Sequence, residues 1–153
     1  MLTDKPLPSP LEAVVFSWDG LTIPLWVQRN DQLHPLLSGN KYRKLQVFVR
    51  LDTAGYVSFG GAWSNHLLAV AALARMQGVR SIGYIRGEEE RPLNTYERWL
   101  LQLGMEIRKV SRQAYADKAR LYAQVASEHP SFQCIPEGGH PQPHGRAFDQ
   151  WVN

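Results

Sequence analysis

YVSFGGAWSNHLLAVAALARMQGVRSIGYIRG, residues 56–87, decides the fold. It opens on a short apolar run that ends in Gly60 and Gly61. An Ala- and Leu-rich stretch follows, with Ser64 or Asn65 near its start and Gly78 at its end. Short polar side chains accept hydrogen bonds from the free N–H groups of a helix start, and glycine enters the left-handed region that closes a helix. SIGYIRG is a second short apolar run, again ending in glycine. Residues 56–87 therefore read as strand, helix, strand.

The same alternation continues toward the C-terminus. Asn94 begins a helix through NTYERWLLQLG, closed by Gly104, and MEIRKVS is a third strand. Residues Ala114 to Glu128 read as one helix, and FQCIPEGG as a fourth strand and a glycine turn. Strands joined by short helical connections predict an α/β fold: three layers, a parallel sheet with helices on both faces. Toward the N-terminus, residues 1–12 carry Pro6, Pro8 and Pro10 and read as an extended arm. VVFSW and LTIPLWVQR flank Asp19-Gly20, a turn dipeptide, and predict a hairpin. Pro24 makes its second strand an edge strand or interrupts it. KYRKLQVFVRL, with Leu45, Phe48, Val49 and Leu51 among basic residues, has the period of an amphipathic helix. The tail HPQPHGRAFDQWVN has no clear period. The chain thus divides into 1–50 (arm, hairpin and Lys41-bearing helix), 51–139 (α/β domain) and 140–153 (irregular tail).

Composition narrows the function classes. In 153 residues, 44% are hydrophobic and 20% charged, enough apolar material for a core. The net charge of +3 is mild and the Lys and Arg are dispersed, so nucleic acid is not expected as a partner. No apolar run approaches a membrane span, and the N-terminus has no secretory pattern. The single cysteine, Cys134, permits no internal disulfide and fits a reducing, cytoplasmic setting. Cys134 reads as a core residue of a strand. His140 and His144 have metal-ligand spacing, but Pro141 and Pro143 argue against the helix that spacing needs, so no metal is expected.

Three segments can carry chemistry. GGAWSNH (Gly60 to His66) joins a strand to a helix. Free N–H groups there favour an anion, the glycines allow close backbone approach, and Ser64 and Asn65 add polar side chains. The pattern also admits a plain helix cap, the reading that local pattern alone favours. SGNKYRKL (Ser38 to Leu45) places Lys41 after a turn and at a helix start. Partial burial and the cations Arg43 and Lys44 would lower its pKa and favour the neutral amine of Schiff-base chemistry. A solvated basic face has the same local pattern. IPEGG (Ile135 to Gly139) ends a strand with Glu137, which could bond a ligand or simply sit in a turn.

In order, LWVQRNDQLHPLLSGNKYRKL, SFGGAWSNHLLAVAALA, YIRGE, Asn94, LGMEIRKVSRQAY and IPEGG resemble the pyridoxal-phosphate (PLP) aminocyclopropanecarboxylate deaminase / D-cysteine desulfhydrase family, from about Leu25 to Gly139. The resemblance implies the tryptophan-synthase-β-like PLP fold, with residues 51–139 as its small domain. It implies that Lys41 forms the Schiff base with PLP and shuttles the substrate proton. It implies that Asn65 hydrogen-bonds the cofactor's ring hydroxyl, and that Ser64, with His66, meets the substrate. The chemistry implied is β-elimination or ring-opening deamination of a small amino acid, in a possible homodimer. Gln28, Arg29, Asn30 and Asp31 stand where the family reads K-R-D-D, and Trp63 where Gln is common. The family also continues for a further half that grips the PLP phosphate. The tail after Gly139 does not resemble that half, and the chain is expected to be truncated and inactive alone. Residues 1–50 are then expected to lack much of their packing surface.

Three readings follow. The first is a PLP lyase or deaminase. The second is a noncatalytic α/β remnant without stable PLP binding. The third is a phosphate- or nucleotide-binding module using the Gly60–His66 turn, although no dinucleotide or P-loop glycine pattern is present.

Overall fold

A computed structural model describes residues 8–37, 39–49, 52–87 and 91–139. Ser38 and the tail with His140 and His144 lie outside the described residues.

The strand-helix alternation forms as the pattern predicts. Strands β3 (Gly55–Gly61), β4 (Arg80–Arg86), β5 (Met105–Val110) and β6 (Phe132–Ile135) make one parallel sheet in the order β5-β4-β3-β6. The antiparallel hairpin of β1 (Leu11–Trp18) and β2 (Leu21–Gln28) is a separate two-stranded sheet. Its turn holds Asp19 and Gly20 at φ 43° and 78°, positive at both central residues as a tight hairpin turn requires. Pro24 does not interrupt β2. It sits opposite Val15, on a strand whose other edge pairs with no strand among the described residues.

Helix α2 (Asn65–Gln77) connects β3 to β4, and α3 (Thr95–Gln102) connects β4 to β5. The predicted helix from Ala114 to Glu128 is two helices, α4 (Arg112–Ala116) and α5 (Lys118–Glu128). The break lies at Asp117, whose side chain accepts from the Arg120 N–H at 3.2 Å and caps a new helix. The predicted helix over residues 41–51 is α1 (Gly39–Gln46), which stops earlier. The Phe48 and Val49 N–H groups bond back to Leu45 and Gln46 at 3.0 and 3.2 Å, a tighter turn that carries Phe48 into the core.

Side-chain alternation along the strands separates two cores. Val57, Phe59, Ile82 and Tyr84 pack on Tyr115, Leu121 and Val125 of α4 and α5. Tyr56, Ile85 and Met105 face the other way, toward Leu67, Val70 and Leu73 of α2 and Leu100 of α3. The three-layer arrangement is therefore present. Cys134 is half-buried and packs against the α4–α5 core, as a strand residue should. Leu37 and residues Tyr42, Leu45 and Phe48 of the α1 region join the α2 core. The expectation that residues 1–50 lack packing surface thus holds for the hairpin and fails for α1.

Candidate functional site

The chain runs β3, β4, β5 to one side and then returns past β3 to place β6 on the other. The strand order reverses between β3 and β6, so a crevice opens at their carboxyl ends. A cavity of about 970 Å³ lies there, at the upper end of small-molecule sites. The loop after β3 brings Ser64, Asn65 and His66 to it. The turn after β6 brings Glu137 and Gly138, and α1 brings Asn40 and Lys41. Leu68, Ala69, Trp99 and Leu103 supply an apolar wall. All four residues singled out from the sequence, Lys41, Ser64, Asn65 and His66, line this one cavity.

Close packing fixes the β3–α2 loop. A Cβ on Gly60 would lie 2.6 Å from Ser64 Oγ and 2.8 Å from Ser64 Cβ, so only glycine lets the strand end meet the helix start. Ser64 is the cap of α2 and accepts from the Leu67 N–H at 3.2 Å. Among the described residues its hydroxyl proton has no acceptor. Asn94, read from sequence as a helix start, forms a full capping box with Glu97. Its side-chain amide also donates to the Ala62 carbonyl at 3.0 Å, which ties α3 to the loop.

Glu97 was not legible as a special residue. It is fully buried, where Arg91, Lys109 and the Asn94 N–H bond its carboxylate. Burial pushes its pKa up, but Lys109, the Asn94 N–H and Arg91 outweigh it and hold the carboxyl below its ordinary range. The one sequence signal was the N-x-x-E spacing from Asn94.

Lys41 is half-buried, and among the described residues its ammonium makes no hydrogen bond or ion pair. Burial first, then repulsion from Lys44, lowers its pKa. Arg43 is directed elsewhere, toward Ser9 Oγ at 3.3 Å and Asn30 Oδ1 at 3.4 Å. Of the two cations expected to act on Lys41, Lys44 does so.

His66 is buried. Its Nε2 lies 2.8 Å from Ser58 Oγ, and that hydroxyl gives its one hydrogen to the Ile135 carbonyl at 2.9 Å. The ring therefore donates from Nε2. Burial, with help from Lys41, pushes its pKa down to about 4, against smaller raising effects of the Pro136 carbonyl and Glu137. Its other edge faces the turn: a Cβ on Gly139 would lie 3.4 Å from His66 Cε1. The Ser58–His66 pair thus joins β3, α2 and the β6 turn beneath the cavity floor.

Glu137 accepts from Lys118 Nζ, and its own N–H donates to the Tyr122 hydroxyl at 3.2 Å. Burial raises its pKa, but Lys118, Tyr115 and Arg86 more than offset this, so it is a carboxylate. The Tyr115 hydroxyl is pushed up by burial and by that carboxylate, without a well-aligned hydrogen bond between them. No helix among the described residues is long and apolar enough to cross a membrane.

No protein-family model matches the chain. Over 96 residues, 60% of its length, the chain is 34% identical to a rice (Oryza sativa subsp. japonica) protein named D-cysteine desulfhydrase 2, mitochondrial, of which the match covers 23%. A solved homologue of ACC deaminase superposes with a TM-score of 0.65 at 21% identity, over 89% of this chain and 44% of that one. Diaminopropionate ammonia lyase from Escherichia coli, solved with an aminoacrylate-PLP azomethine, superposes with a TM-score of 0.52 at 18% identity, over 89% of this chain and 38% of the enzyme. The chain spans less than half the length of each of these proteins. The fold is that of part of the PLP-dependent fold-type II enzymes, and the resemblance seen in the motifs is matched by these similarities.

Proposed function

We propose, from this kinship with PLP-dependent desulfhydrases and deaminases, that the cleft serves PLP-dependent elimination or deamination of a small amino acid, D-cysteine or aminocyclopropanecarboxylate by resemblance. One observation carries the proposal: Lys41 is half-buried with a lowered pKa and faces Ser64 and Asn65 across the cleft at the sheet's switch point.

The residues present fit the amine-and-ring end of PLP. The cavity of about 970 Å³ has room for the ring and a small substrate. Lys41 supplies an amine made easier to deprotonate by its surroundings. Asn65, exposed on the first turn of α2, offers an amide to a ring oxygen. Bound PLP would supply an electron sink for the carbon that loses a proton. The chain's own residues would do the rest. Lys41 would hold the cofactor and move the proton of the substrate carbon. Ser64 would meet the substrate with its free hydroxyl proton. His66, buried and already bonded to Ser58, acts in this reading by fixing the loop under the substrate. The division into residues 1–50 and 51–139, a homodimeric assembly and a cytoplasmic location belong to the same proposal.

A second reading keeps the fold without stable cofactor binding by this chain alone. It is favoured by the cleft's charge: among the described lining residues, Lys41 is the one Lys or Arg. A phosphate there would meet no cation apart from the reacting amine. Titration with PLP separates the two. The first reading expects the visible band of lysine-bound PLP and, after borohydride reduction and peptide mapping, label on Lys41 and none in K41A. Absence of the band in the folded chain leaves the second.

A further inference from the structure

A second cavity, of about 570 Å³, lies over the opposite face of the sheet. Gly61, Ala62, Arg86, Arg112, Tyr115 and Lys118 line it. The β3–α2 loop separates it from the Lys41 cleft: Gly61 and Ala62 border this cavity, and Ser64, Asn65 and His66 border the other. Arg86 shares the strand face of Ile82 and Tyr84, which packs on α4 and α5, whereas the Lys41 cleft lies on the side of α2 and α3.

Its charge is compensated only in part, by Glu137. Of the three cations, Lys118 is taken by Glu137. Among the described residues, Arg86 and Arg112 have no hydrogen-bonding or ion-pairing acceptor. Two guanidinium groups therefore face one cavity with a surplus of about two charges, by the count of one each. Tyr115 organises them. The Arg86 guanidinium lies 5.6 Å and the Lys118 ammonium 5.8 Å from the centre of its ring, within cation–π range. Tyr115 is 3% exposed, and its hydroxyl has no well-formed hydrogen bond. The Glu137 carboxylate is the acceptor beside it, so the groups left without one are the two guanidinium groups. An apolar ligand would satisfy none of these groups, and a monoanion would neutralise half of them. A planar fork of donors matches tetrahedral phosphate oxygens.

We propose that this second cavity binds a phosphate monoester, with Arg86 and Arg112 clamping the phosphate beside the Tyr115 ring. The site lies apart from Lys41, Ser64 and Asn65, and its one link to that cleft is Lys118, which bonds Glu137 on the cleft's edge.

Inorganic phosphate is the probe, titrated into the full chain by calorimetry. The parent should bind one phosphate saturably. The R86Q/R112Q double variant should bind about tenfold or more weakly, since each charge-assisted pair is worth a large part of that factor. Both residues are exposed and make no hydrogen bond or ion pair among the described residues, so the thermal midpoint should move little. Y115F keeps the ring beside Arg86 and should bind phosphate within about twofold of the parent. K41A should bind phosphate as the parent does, whether or not the chain takes PLP. Absence of saturable binding, undiminished binding in R86Q/R112Q, or loss in K41A would each overturn the proposal. Succinate binding as tightly as phosphate would overturn the phosphate class.

Discussion

The hairpin and the four-stranded sheet are built from similar residues and meet opposite fates. Both are rich in Val, Ile, Phe and Trp or Tyr. In β3, Gly55 to Gly60 are all buried, covered on both faces by helices. In the hairpin nearly every residue is exposed, with Trp18 at 69% and Trp26 at 72%. Strand propensity is the same in both places. Burial comes from what the connections bring: helices after β3, β4 and β5, and only a two-residue turn after β1. A lone two-stranded sheet hides little surface and is marginally stable by itself, and a contiguous apolar patch of this kind marks a surface made to be covered. Stability should therefore be concentrated in the sheet layer and nearly absent from the hairpin.

The largest effect is expected at Glu97. It is fully buried, and Arg91 and Lys109 converge on it. E97A strands Lys109, whose side chain is 11% exposed, and also removes half of the α3 capping box. Breaking a buried pair in this way costs about 3–5 kcal/mol. The urea midpoint should fall accordingly. A loss under about 1 kcal/mol would mean that the sheet layer does not depend on its buried charges.

His66 gives the comparison a pH axis. Its folded pKa, about 4, lies below the ordinary 6.5. The folded chain therefore binds its proton less readily than the unfolded chain. The stability this contributes is complete above pH 6.5 and is lost as pH falls toward 4. The loss should be about 3 kcal/mol, from the size of the shift. Glu97 and Glu137, both held below their ordinary 4.5, add losses only at lower pH. H66Q, which keeps a donor for Ser58, should flatten the upper part of the curve. A parent curve level between pH 6.5 and 4 would show that His66 is solvated in solution.

Much of this was legible in the sequence, for reasons particular residues make plain. Asn94 and Gly78 marked helix ends correctly, and Ser64 proved the cap of the Ser64–Asn65 pair, because capping is a local hydrogen-bond need. Asp19-Gly20 marked the hairpin because its turn needs two positive φ angles. The motif order brought Lys41, Ser64, Asn65 and His66 to one cavity. Three things were not legible. The break at Asp117 required knowing that its side chain caps α5 instead of facing solvent. Glu97 is an ordinary helix acid until β5 supplies Lys109 from twelve residues away. Arg86, Arg112 and Lys118 lie dispersed along the chain, and the crossover from β5 to β6 gathers them on one face.

The smallest effect is expected at Trp26, and it probes the hairpin alone. Trp26 pairs with Ala13 and is 72% exposed. W26K removes no buried contact, so stability should change by no more than about 0.5 kcal/mol, the range for surface sites. Hairpin amides should exchange with solvent far faster than those of β3 and β4 in the parent, since opening two strands breaks no core. What W26K should change is association. If the apolar hairpin face meets a second copy, sedimentation should show the parent self-associating as its concentration rises and the variant remaining monomeric, because a charge placed in that contact is costly to bury. A stability loss comparable to that of E97A would instead mean that Trp26 is packed within the monomer, and the contrast between hairpin and sheet would then fail.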